Sequence, residues 1–148
     1  MIPICECNAD IANCEYMTSD YSKLVYPDLS YRINGVLFSV HNELGRFRNE
    51  NQYADRVEEK FKNLGIIYER EKIIPESFVG EKSGRNKIDF IVENKIILEI
   101  KSKRITSKEE YYQVRRYLGA FNKRLGVLVN FRDKYLKPKR ILNSSVND

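Results

Sequence analysis

Two carboxylates and an ammonium stand inside the most strand-like stretch of the chain, KIDFIVENKIILEIKSK (residues 87–103): Asp89, Glu99 and Lys101. Two apolar runs flank a short polar break at Glu93-Asn94, which reads as a hairpin. Alternation along residues 95–101 places Ile97, Glu99 and Lys101 on one face and Ile96, Leu98 and Ile100 on the other. Closing the hairpin at Glu93-Asn94 makes Asp89 and Glu99 near neighbours across the strands. Adjacent carboxylates repel and raise each other's pKa unless a cation lies between them. A hard divalent cation such as Mg²⁺, with Mn²⁺ as a substitute, suits carboxylate and carbonyl oxygens plus water. Such an ion activates water and offsets charge building on a phosphoryl group. Lys101 would orient that water or neutralise the phosphate. A surface ion-pair cluster on an open sheet face is the plain alternative, because the D-x9-E-x-K pattern is short.

These residues need elements to hold them. Ile33, Val36, Leu37, Val40 and Leu44 recur at helical spacing after Ser30, a helix cap by type, and Gly45 supplies a stop. A second helix is expected from about Asn49 to Leu64, with Tyr53, Ala54, Val57, Phe61 and Leu64 as its apolar stripe and Gly65 at its end. Glu50 is expected to project from the buried-side face of its first turn, where the helix dipole alone would favour an acid. IIYEREKII (66–74) reads as a strand and residues 75–86 as a loop. Ser107 and Glu110 stand at capping-box spacing ahead of a helix over 107–124. GVLVNF (126–131) and KRILN (139–143) complete the set. The order α-α-β-β-β-α-β-β predicts an α/β fold with a mixed β-sheet flanked by helices.

The chain has 148 residues, 42% hydrophobic and 32% charged, with net charge +5, which fits a single globular domain. No apolar run approaches the ~20 residues that span a bilayer. The N-terminus lacks the layout of a signal peptide. The expected location is therefore the cytoplasm, with no membrane partner. Residues 1–30 hold five acids against Lys23 and read as an N-terminal extension to a domain over 31–148. Residues 115–140 hold nine basic side chains against Asp133. That imbalance suits a polyanion such as nucleic acid, and equally a solvated basic surface. Cys5, Cys7 and Cys14 read as free thiols, since the cluster lacks a fourth zinc ligand and His41 is the only histidine.

Asp89 followed by Glu99-Ile100-Lys101 resembles the acid…(D/E)-x-K signature of the PD-(D/E)XK nuclease superfamily, which has a restriction-endonuclease-like core. Gln113-Val114-Arg115-Arg116-Tyr117 is similar to the Q-x3-Y motif of its RecB-like branch. HNELGRFRNENQY (41–53), with Glu50 and Tyr53, resembles the E-x-x-Y segment of the GxxExxY family. LGVLVNF (125–131) is similar to that family's strand after the helix. The likeness runs over roughly residues 31–143 in one unbroken order. It departs at Phe47, where glycine is expected, and at Ile88, where the superfamily's name has proline.

The resemblance implies Asp89 and Glu99 as principal metal ligands, the Ile100 carbonyl as a further oxygen, and Glu50 as a metal-shell acid. It implies Lys101 as the catalytic lysine. Gln113 and Tyr117, four apart on one helical face, would orient the metal site or contact the nucleic-acid backbone. Read without it, they are a surface amide and a core aromatic. The expected activity is Mg²⁺-dependent hydrolysis of phosphodiester bonds, in DNA before RNA. A non-catalytic nucleic-acid-binding or accessory module that keeps the fold is the alternative, and a protein partner or homodimer stays open.

Overall fold

The computed structural model describes residues 25–82, 84 and 86–146. The cysteines lie outside the described residues. Two compact units divide at Ile33 and Asn34. In the first, helix α1 (Pro27–Leu44) opens with Pro27, a residue suited to the first helical position because its φ is preset and it has no N–H to satisfy. The Ser30 N–H donates to the Tyr26 carbonyl at 2.9 Å. Ser30 is therefore inside the helix and buried, not its cap as its residue type predicts. The helix runs into the second unit, where Gly45, at φ 75°, ends it.

Helix α2 (Glu50–Leu64) begins at a reciprocal cap: Asn49 accepts from the Gln52 N–H, and the Gln52 side chain accepts from the Asn49 N–H. Gly65 in the left-handed conformation closes it. Strands β1 (Tyr68–Ile73), β2 (Lys87–Val92) and β3 (Ile96–Lys101) form a meander. Helix α3 (Lys108–Phe121) starts at the expected Ser107–Glu110 capping box. It carries the chain to β4 (Leu125–Asn130), parallel to β3, and then to β5 (Lys139–Leu142). The result is a five-stranded mixed sheet in the order β1-β2-β3-β4-β5, an α/β architecture consistent with the restriction-endonuclease-like fold. No helix among the described residues is long and apolar enough to cross a membrane.

Both faces of the sheet are covered. Tyr53 of α2 stacks on Phe131 with centroids 4.2 Å apart, and Phe61 meets Phe90 edge-on at 5.5 Å. On the other face Val114, Tyr117 and Leu118 of α3 pack with Ile91, Ile97 and Leu128. Double coverage explains why β3 and β4 are almost wholly apolar. It also makes Glu99, 3% exposed, the one conspicuous misfit in β3.

Candidate active site

Asp89 stands where the sheet ladder opens. The β1–β2 register passes from Arg70↔Phe90 to Lys72↔Ile88, and the β2–β3 register stops at Phe90↔Leu98. Asp89 thus has no register partner on either neighbouring strand, and Glu71 opposite it takes a left-handed φ of 56°. Side chains take over from backbone there. The Asp89 N–H donates to Glu99 Oε1 at 2.9 Å, and the Ile100 N–H donates to Asp89 Oδ2 at 2.7 Å. Each carboxylate holds the backbone of the other's strand, which fixes both rotamers and draws the two acids together as the hairpin predicts.

Burial and mutual repulsion shape their charge. Burial pushes the Glu99 carboxyl up to about 8; the Asp89 charge adds to this, and the Asp89 N–H and Lys101 oppose it. Asp89 is also raised, chiefly by burial, against the Ile100 N–H and Lys101. Lys101 Nζ donates to Gln113 Oε1 at 3.1 Å, so α3 aims the ammonium. Tyr117, one turn further along α3, has its hydroxyl pushed up to about 12 by burial and by the Glu99 charge.

Glu50 occupies a different environment. It is exposed, not on a buried face as expected: as the first residue of α2 it stands beside Ser102, one residue past the end of β3. Its Oε1 accepts a long 3.4 Å bond from the Ser102 N–H. It adds to the negative field that raises both Asp89 and Glu99. Tyr53 fastens the preceding loop by donating to the Gly45 carbonyl at 2.6 Å and accepting from the Arg48 N–H at 3.2 Å. Ser102 Oγ adds a 2.7 Å bond to the Arg48 carbonyl.

Asn130 is a residue that sequence reasoning passed over. Its amide accepts from the Lys103 N–H at 3.0 Å and donates to the Lys103 carbonyl at 2.8 Å, clamping the chain just past Lys101 to the end of β4. As one polar residue closing an apolar run it gave no signal beyond its burial, which only the fold reveals.

A model of the PD-(D/E)XK nuclease superfamily matches residues 27–141, and the chain belongs to that superfamily. No curated protein and no solved structure gave a match. The domain is thus nuclease-like, of a class that typically works on nucleic acid with divalent metal ions. The donors present suit such an ion. Asp89 and Glu99 each commit one oxygen to a backbone N–H. Their ionised forms are disfavoured by burial and by each other, which a cation would relieve. Among the described residues no three His, Cys, Asp or Glu side chains form a closed cage. Two carboxylates match the habit of Mg²⁺, which is held by one or two carboxylates and retains part of its hydration shell.

Proposed function

We propose that residues 31–148 form a Mg²⁺-dependent nuclease domain, with Mn²⁺ able to substitute, that hydrolyses phosphodiester bonds in DNA, and that residues 1–30 are an extension to it. The observation that carries this reading is the reciprocal Asp89–Glu99 arrangement beside Lys101, where the β1–β2 and β2–β3 ladders open. The Glu50–Tyr53 segment and the Gln113–Tyr117 pair support finer placement in the GxxExxY family and the RecB-like branch.

Asp89 and Glu99, with the Ile100 carbonyl, would hold the ion, and Glu50 would act from the rim through its charge. When bound, the ion supplies an acidified water and offsets negative charge at the phosphorus. Lys101, held by Gln113, presents N–H donors to a non-bridging phosphate oxygen, where charge grows in the transition state. Gln113 fixes the Lys101 rotamer, so its contribution is positional. Tyr117, with its proton held tightly, serves as a hydrogen-bond donor at the inner wall and not as a base.

The test is cleavage of labelled single-stranded, duplex, flapped and branched DNA, and of RNA, with Mg²⁺, Mn²⁺ or chelator. Metal-dependent products that disappear in Glu99→Ala and Lys101→Ala are expected. Cleavage that survives Glu99→Ala would overturn the assignment. Tight binding without cleavage on every substrate would replace it with the accessory-module reading.

A further inference from the structure

Beside this centre lies an open cleft of about 540 Å³, lined by Phe47, Arg48, Asn49, Glu50, Ser102 and Arg132 among others. Phe47 is 75% exposed. A single exposed aromatic needs no explanation by itself. Here, however, the Arg46 guanidinium lies 5.1 Å and the Arg132 guanidinium 5.5 Å from the ring centroid. Arg46 Nε donates to the Arg132 carbonyl at 2.7 Å, which ties the Arg46 side chain to the Arg132 backbone.

The charge here is unspent. Elsewhere in the domain Arg56 is paired with Glu43 and Glu59, and Arg70 with Asp55 and Glu58. Among the described residues Arg46, Arg48 and Arg132 have no carboxylate partner. Arg132 Nε is also the only buried side-chain nitrogen or oxygen among them without a hydrogen-bond partner. Unpaired guanidiniums around an exposed ring offer two things together: a stacking surface and anion contacts.

We propose that this cleft binds an unpaired nucleotide of single-stranded DNA, its base stacked on Phe47 and its phosphate held by Arg132 and Arg48. The inference rests on the nuclease reading and names the substrate class of that site. In a duplex both faces of each base are covered by neighbours, whereas a single strand offers them to an aromatic side chain. Ser102 lines the cleft and directly follows Lys101, so a strand seated on Phe47 passes beside the reacting centre.

Fluorescence anisotropy on the full chain in chelator, with a labelled thymidine oligonucleotide and a blunt duplex of equal length, tests this without cleavage. Phe47→Ala should weaken single-strand binding on the order of 10-fold and change duplex binding by less than about twofold. Phe47→Trp should retain single-strand affinity. One abasic site placed under the platform should weaken wild-type binding and leave the Phe47→Ala affinity unchanged. Equal single-strand affinity in Phe47→Ala, an equal loss on both nucleic acids, or full competition by a polyglutamate peptide would overturn the proposal. Loss of the nuclease reading would look different: Phe47-dependent single-strand binding would persist while no metal produced cleavage. Metal-dependent cleavage with binding indifferent to Phe47 would sink the platform alone.

Discussion

Gly126 tests whether the distance between α3 and the sheet sets the position of Lys101. It sits in β4, paired to Ile97 on one side and Ile141 on the other. A Cβ added there would lie 2.6 Å from Val114 Cγ1 and 3.6 Å from both Leu118 Cδ atoms. The Val114 contact falls short of ordinary van der Waals separation by about 0.8 Å, well up the repulsive wall. Val114 is fully buried and β-branched, so its χ1 has no easy alternative on a helix. β4 is hydrogen-bonded on both edges and cannot sink. Gly126→Ala must therefore lift α3 near Val114. Overpacking of this kind costs about 2 kcal/mol, or a fall in Tm of roughly 5 °C. Gln113 precedes Val114 and would move with it, stretching the 3.1 Å bond to Lys101. A shift approaching 1 Å at an aimed group lowers kcat on the order of 10- to 100-fold. Circular-dichroism melting and a cleavage time course measure both effects. Adding Val114→Ala should restore much of each, because it removes the clashing methyl. A Gly126→Ala protein that melts like wild type, or a double variant whose losses simply add, would refute the reasoning.

Other substitutions probe different parts of the site. Glu99→Gln should stabilise the metal-free protein at pH 7.5, since the folded wild type must hold a proton that the unfolded chain has released; the wild type should lose stability as pH rises from 4.5 towards about 8, and the variant should lose less of it, the remainder belonging to Asp89, as denaturant melts across that range would show. Mg²⁺ should raise the Tm of the wild type in a concentration-dependent way and leave Asp89→Ala unmoved, which differential scanning fluorimetry reads directly. Gln113→Ala should lower kcat about 10-fold with little change in KM in steady-state cleavage, because it frees the Lys101 rotamer without touching substrate. The Lys103 ammonium and the Ser107 cap hold Glu110 down at about 2, so Glu110→Gln should cost about 1 kcal/mol at pH 7, and the difference should fade as pH falls from 4.5 to 2; the figure allows for the half-exposed lysine, and urea titrations at several pH values check it.

Local chemistry carried most of the fold into the sequence. The Ser107–Glu110 box, the glycine stops at 45 and 65, and the Glu93-Asn94 turn each depend on residues within a turn of one another, and each lies where its pattern implies. Ser30 failed for an instructive reason. Pro27, three residues earlier, takes the first helical position, which favours proline, so a residue of capping type was left inside a helix. The strand period put Asp89 and Glu99 on neighbouring strands, but not the gap in the ladder that lets each carboxylate take the other strand's N–H. Glu50 shows another limit: helical spacing gives a direction around the axis and says nothing of where the supporting sheet ends. Phe47 and Arg132 come from distant segments, so no spacing rule joins them; the only signal was Phe47 as a departure where the resemblance expects glycine.

The opened ladder also equips this site with its own spectroscopic reporters. In an ordinary sheet the Asp89 and Ile100 amide protons would point at peptide carbonyls, whose charge never changes. Here they point at two carboxylates, so their NMR frequencies follow the electron density on those oxygens. In a ¹⁵N-labelled sample these two peaks should move first and furthest when an ion is titrated in. They would do so without substrate or turnover, separating the occupancy of the centre from everything that happens afterwards.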